Sequence, residues 1–412
     1  MSQLDGEGED SSEGFRHVEF KFPLLLIKTR RGRNLMDRLA GNRLTPALGN
    51  FYLYIMPVIA AAMIYLALFA IFRYLTTPAL SQFVRSLGPQ ANLLLPGLNP
   101  YLPIVYGWIA LLTAMIVHEA SHGIMARRQG FMVKDSGLIF LLFIPIGAFV
   151  ELDEEELKRA SPGTAGRILA AGAGSNFVVA AVSLLLMLLV VSTYIPVSAP
   201  SGIAVVTVEP NSPTYLAGLR AGDILVALNS TTLNTTAQLS QFMASTHPGE
   251  VLTITYQHAG VMESSQLVLA SNPNNRSIGY LGITPAENPS LVLKSFLAFS
   301  PLSISRYFVF PSLVASQVPF SQQMQMFYTS SLGVLAFPLT NLLFWMWFVN
   351  LNLALFNALP LGPFDGGVAF RHLLRAITHA DWDSKIVRNT SNVVSVLMLF
   401  IVFALLTIPY LI

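Results

Sequence analysis

Cysteine is absent from the 412-residue chain. Disulfide scaffolds, thiolate zinc sites and cysteine nucleophiles are thereby excluded, and any transition-metal site must be built from histidines and carboxylates. Charge is scarce as well: Asp, Glu, Lys and Arg make up 11% of the residues, against about 25% in an ordinary soluble domain. The formal net charge of +2 argues against a nucleic-acid partner, whose binding needs a dominant basic patch. A secretory signal is also missing. Residues 1–14 are acidic and rich in Ser and Gly, with no basic stretch leading into an apolar core, and read as a disordered cytosolic tail. What is abundant is apolar: 53% of residues are hydrophobic. The composition is that of a polytopic membrane protein.

Apolar runs at residues 51–73, 103–126, 168–195, 333–357 and 391–412 are each long enough to cross a hydrocarbon core of about 30 Å. Lys28, Arg30, Arg31, Arg33, Arg38 and Arg43 precede the first run, Arg127 and Arg128 end the second, and Arg371, Arg375, Lys385 and Arg388 separate the last two. Basic loops stay in the cytoplasm, which predicts a cytoplasmic N-terminus, five spans and an outside C-terminus. Val18, Phe20 and Phe22 alternate with Glu19 and Lys21 ahead of Leu24–Ile27, the pattern of a short strand at the membrane surface. Residues 137–150 are apolar but too short to span, and Gly137, Pro145 and Gly147 disfavour helix. They predict a re-entrant β element, which requires protein or water to satisfy its backbone. Residues 291–330, broken by Pro301, Pro311 and Pro319, predict interfacial helix segments. The resulting organisation is a tail and basic surface segment (1–50), a first membrane half (51–196), a soluble insert (201–286), an interfacial linker (287–332) and a second membrane half (333–412).

Chemistry concentrates in the second span, at His118-Glu119-Ala120-Ser121-His122. Helical positions i and i+4 share a face, so both imidazoles can bind one metal ion, with the adjacent Glu119 near enough to serve as general base. Three ionisable groups inside an apolar span are costly unless paired or wet. A polar face lining a channel, or a metal site for transport or structure, remains open on this pattern alone. A catalytic zinc needs a third protein ligand. His17, His247, His258, His372 and His379 all fall away from membrane depth, whereas Asp365 lies at the cytosolic end of the fourth span, in Asn357-Ala358-Leu359-Pro360-Leu361-Gly362-Pro363-Phe364-Asp365-Gly366-Gly367. A turn residue capping the next helix is the other reading of Asp365.

These motifs together resemble the site-two-protease family of intramembrane zinc metalloproteases. The matching elements are His118-Glu119-Xaa-Xaa-His122, Asn357–Pro360, Asp365-Gly366, the run Gly172-Ala173-Gly174-Ser175-Asn176 in the third span, and Gly147-Ala148-Phe149-Val150-Glu151. The resemblance covers most of residues 101–370. It implies one zinc ion per chain held by His118, His122 and Asp365, with Glu119 as base and proton carrier. It further implies that Asn176 and Asn357 hold an extended substrate or the developing oxyanion. For Asn176 interhelical packing is the alternative, and for Asn357 a helix cap.

The insert 201–286 has short Val/Ile strands and the run Ser212-Pro213, Ala217-Gly218-Leu219, Ala221-Gly222-Asp223. It is similar to a PDZ domain of bacterial type, an α+β fold that captures a chain terminus or extended peptide. Tyr280-Leu281-Gly282-Ile283 is the candidate carboxylate-binding loop. The expected fold is therefore a polytopic α-helical membrane protein of about five transmembrane helices, with a re-entrant β element and a PDZ-like domain outside the cell membrane. The expected function is hydrolysis of membrane-protein substrates within or near their transmembrane segments. A catalytically inactive scaffold that binds membrane helices is the alternative, and an intact Glu119 speaks against it.

Overall fold

A computed structural model describes residues 17–29, 31–142, 144–197, 201–298, 307–308, 310–313, 315–362 and 364–412. The acidic tail lies outside the described residues. By its internal contacts the chain divides into two units, Met1–Val182 with Trp345–Ile412, and Ser183–Phe344.

The first unit opens with an antiparallel hairpin, β1 (His17–Lys21) and β2 (Leu24–Thr29), then α1 (Arg31–Ala40), α2 (Thr45–Thr76), α3 (Pro78–Leu87) and α4 (Ile104–Arg128). A second hairpin follows, β3 (Ser136–Leu141) and β4 (Ile144–Val150), then α5 (Glu154–Arg159) and α6 (Pro162–Val191). α5 is short but well capped. The Asp153 carboxylate accepts from the amides of Glu155 and Glu156, and Lys158 and Arg159 occupy the last turn, where cations suit the helix dipole. Among the described residues, α2, α4 and α6, with α10 (Ala336–Asn357) and α12 (Lys385–Leu411), are the five helices long and apolar enough to cross a membrane. The helix α11 (Asp365–Thr378) lies between the last two in sequence.

The surface strand and the re-entrant element turn out to be one structure. The two hairpins join in an antiparallel sheet of order β1-β2-β3-β4, with Leu25 opposite Phe140 and Ile27 opposite Leu138. α3 falls in the stretch between the first two apolar runs.

In the second unit β5 (Tyr194–Pro196) pairs with β14 (Tyr328–Ser330). Between them come β6 (Ile203–Val208), α7 (Pro213–Leu216), β7 (Ile224–Leu228), β8 (Thr231–Thr232), α8 (Thr236–Ala244), β9 (Val251–His258), β10 (Val261–Val268), β11 (Ala270–Ser271), β12 (Gly279–Tyr280) and β13 (Ile283–Ala286). The main sheet runs β10-β9-β7-β6-β13, with β8 on β7. Its alternating apolar residues Ile203, Val205, Leu225, Leu252 and Ile254 meet Leu219, Leu239 and Leu281 in a closed core, the arrangement of a PDZ-like domain. α8 starts on a reciprocal cap between Thr235 and Gln238.

The stretch after the insert is helical in part among its described residues. Its described residues form α9 (Pro289–Leu297) and single 3₁₀ turns. Phe296, Tyr307, Phe320 and Phe327 are fully or almost fully buried, with ring centroids 5.2 Å (Phe296–Tyr307) and 5.6 Å (Phe296–Phe320) apart. Pro311 and Pro319 fall in turns, and the aromatics pack on one another in a small core.

Candidate functional site

His118 and His122 sit one turn apart on α4, both buried, with ring centroids 4.8 Å apart. Their Nε2 atoms are 3.2 Å apart. Asp365, the first residue of α11, places Oδ2 3.1 Å from the first and 3.0 Å from the second. Among the described residues this trio is one cluster of His and carboxylate groups arranged to hold a metal ion.

Glycines make the approach possible from two directions. A Cβ on Gly172 of α6 would lie within 3 Å of ring atoms of both histidines, so this helix can reach the pair only with hydrogen at that position. Gly366 and Gly367 at the start of α11 face the carbonyls of Ala358, Leu359 and Leu361, where any Cβ would collide. That close seat lets α11 begin beside α4 and aim Asp365 at the imidazoles.

Polar neighbours orient the rings. His122 Nδ1 lies 2.8 Å from the carbonyl oxygen of Ile168, which can only accept. The proton therefore resides on Nδ1, and the Nε2 lone pair faces Asp365. His118 Nδ1 is 3.2 Å from the side-chain amide of Asn176, a fully buried residue whose Oδ1 has no partner among the described residues. Rotating that amide by half a turn, an assignment that geometry alone leaves free, gives His118 Nδ1–H an acceptor and turns its Nε2 lone pair inward too. Two lone pairs and a carboxylate oxygen facing one another at about 3 Å repel unless a cation lies among them. Their spacings also approach the ~3.3 Å edges of a tetrahedron with zinc–ligand bonds of about 2.0 Å. The donor set thus fits zinc.

Glu119 is half-buried, and its Oε2 accepts from the backbone amide of Val150, 3.2 Å away, at the end of β4. β4 is the last strand of its sheet, so this amide belongs to the sheet's unpaired edge. Of the two asparagines, Asn176 touches His118 directly, whereas Asn357 donates its side-chain amide to the Leu353 carbonyl one turn back in α10 at 3.0 Å. Sequence reasoning missed the Ile168 carbonyl and the Val150 amide, since main-chain groups leave no trace in residue type. Gly172 was legible only as a small residue for helix packing. The other histidines serve elsewhere: His258 pairs with Asp223 at 2.7 Å, and His372 is buried against Trp382. In the soluble unit Gly282 takes a left-handed φ of 81° just ahead of β13, an end strand of its sheet.

Comparison with known proteins agrees with this geometry. Residues 106–402 match peptidase family M50. A protein of Clostridium perfringens named "putative zinc metalloprotease" is 24% identical over 341 residues, covering 74% of this chain and 97% of that one. One of the same name from Clostridium acetobutylicum is 23% identical, covering 75% and 98%. An uncharacterized protein of Methanocaldococcus jannaschii is 26% identical over 265 residues, 64% of this chain, and the match spans only 56% of its length. The PDZ domain of an SdrC-like protein from Listeria monocytogenes matches 21% of this chain and 90% of its own at 22% identity, with a TM-score of 0.19. With two histidines of a membrane-length helix clustered against an aspartate at the start of α11, the chain belongs to peptidase family M50, the site-two type of metallopeptidase.

Proposed function

We propose that the protein is a zinc endopeptidase that cleaves membrane proteins within or beside their transmembrane segments. The observation that carries this reading is the trio His118, His122 and Asp365 on α4 and α11, with Glu119 held against the edge of β4, where α4 is of membrane-spanning length. His118, His122 and Asp365 would hold a zinc ion, which would supply Lewis-acid polarisation of a scissile carbonyl and acidify water. Glu119 takes the proton of the attacking water and delivers it to the departing amine. The Val150 amide holds Oε2, which directs Oε1 toward the proton in flight. Asn176 acts through His118 by orienting its ring, and Asn357 is the candidate for holding the substrate main chain.

A helical substrate hides its carbonyls in i to i−4 hydrogen bonds and has to unwind before attack. The open edge of β4 offers the unwound strand new partners, satisfying backbone groups that hydrocarbon leaves bare. In this reading the N-terminus is cytoplasmic, the PDZ-like domain extracytoplasmic, and that domain captures a peptide or protein terminus along β13.

Glu119→Gln tests the proposal. In detergent or nanodiscs, the variant is expected to retain about one zinc per chain, as in the wild type, and to lose cleavage of single-span reporter proteins. Undiminished cleavage by the variant overturns the assignment of the base. A wild type that binds no zinc overturns the peptidase reading as a whole.

A further inference from the structure

The outer half of the four-stranded sheet and the helix beside it contribute nothing to the ligand cluster, yet their surface is unusual. On β1 and its turn, Val18, Phe20 and Phe22 are exposed, Phe20 by 62% and Phe22 by 81%. Leu25, Ile27, Leu138 and Phe140 continue the face that Val18 and Phe20 begin, as the strand register requires. α1 is amphipathic. It turns Met36 and Ala40 inward and leaves Leu35 (57%) and Leu39 exposed. Large apolar groups at such exposure are an aggregation hazard in water, so another medium or partner covers them.

Their position indicates which. α1 ends four residues before the membrane-length α2 begins, and the Thr45 hydroxyl donates to the Leu39 carbonyl at 2.7 Å. Asp37 pairs with Arg127 at the end of α4, and Met36 fills the notch at Gly123, where a Cβ would come within 3 Å of its sulfur. α1 is therefore fixed at the ends of two membrane-length helices, at the level where hydrocarbon gives way to headgroups. β1 belongs at the same level. Among the described residues its outer edge has no strand partner, and an unpaired edge is tolerated among headgroups and water but not in hydrocarbon. The charges match an anionic surface. Glu19 and Asp37 are each occupied by a cation, Lys28 and Arg127, while Arg38 and Arg43 are exposed.

We propose that the β1–β2 hairpin and α1 form an anchor for the anionic headgroup surface of the bilayer on the side where α2 begins. Val18, Phe20, Phe22, Leu35 and Leu39 enter the boundary between headgroups and acyl chains, and Arg38 and Arg43 meet lipid phosphates. Because this sheet carries β4 and this helix grips α4, the anchor holds the edge next to Glu119 at a defined depth. The proposal rests on the membrane-length helices and not on the hydrolytic reading.

The chain has no cysteine, so single labels can be placed without background. Nitroxides on Phe20→Cys and Leu35→Cys are compared with one on Val261→Cys, an exposed position on β10 of the soluble unit. The full-length protein is studied in nanodiscs of phosphatidylcholine with and without phosphatidylglycerol. At positions 20 and 35 the ratio of oxygen to aqueous nickel-chelate accessibility is expected to be several-fold higher than at 261. Adding phosphatidylglycerol deepens label 35, and Arg38→Gln with Arg43→Gln reverses that shift. Labels at 20 and 35 as water-accessible as label 261 overturn the anchor. Depths that ignore both phosphatidylglycerol and the two arginines overturn the anionic lipid as its partner. Val18→Cys and Leu39→Cys give the same reading should either first variant fail to elute as a monodisperse protein.

Discussion

The side-chain amide of Asn176 meets His118 Nδ1 at 3.2 Å inside the membrane-length part of the fold. A group in that position sets the ring's tautomer and angle, and such partners are worth about 10- to 100-fold in metal affinity. Asn176→Ala is expected to weaken zinc binding by roughly that factor in competition with a chelator. Asn176→Asp, which keeps an acceptor for Nδ1–H, is expected to restore most of it. Equal affinity in all three proteins would return Asn176 to a packing role.

Gly172→Ala separates helix stability from site geometry. Alanine favours helix over glycine by about 1 kcal/mol, so α6 gains locally. The added methyl nonetheless falls within 3 Å of both imidazoles. The expected outcome is a folded protein with little or no zinc, measured by metal analysis beside a thermal melt.

Proline at 148 removes an amide from the open edge of β4 without touching the ladder to β3. Val150 sends its amide outward to Glu119, and residue 148, two positions earlier, shares that edge. Ala148→Pro is expected to keep zinc and lower cleavage of a transmembrane reporter at least tenfold in kcat/KM, a loss of about 1.4 kcal/mol in transition-state binding. Unaltered cleavage would show that the substrate strand does not pair there.

His372 on α11 supplies a pH dependence of stability. Burial, together with the cations of Arg375 and Arg371, depresses its pKa to about 4. Its Nδ1 accepts from Arg375, which also donates to the carbonyls of Lys158 and Ala160. The unfolded chain binds a proton near pH 6.5 and the folded one does not. Stability is therefore fully present above about pH 6.5 and is lost as pH falls toward 4, by at most ~1.4 kcal/mol per unit. Thermal melts in detergent across that window are expected to fall for the wild type and to flatten for His372→Gln.

The membrane-length helices and the histidine pair of the candidate metal cluster were legible because their signals are local. Hydropathy over some twenty residues marks a span, and i to i+4 spacing puts His118 and His122 on one face whatever else the chain does. Asp365 was legible for a related reason, a lone carboxylate among Leu, Phe and Pro. Asn357 shows the limit. Its residue type suits a substrate contact, but a helical asparagine can equally bond the carbonyl four residues back, and it does so here.

By itself, then, the amino-acid sequence marked five helices of membrane-spanning length, the paired histidines of the candidate metal cluster and the PDZ-like insert, because each depends on periodicity or spacing within a short stretch. Only the tertiary structure decided that β1 and β2 join β3 and β4, that Ile168 and Val150 orient His122 and Glu119, and that Gly172 opens the space for the ligand pair. Those facts depend on backbone groups more than thirty residues from their partners or on a side chain that is absent. Main-chain donors and acceptors are the same at every position, so the fold alone selects which of them reach the site.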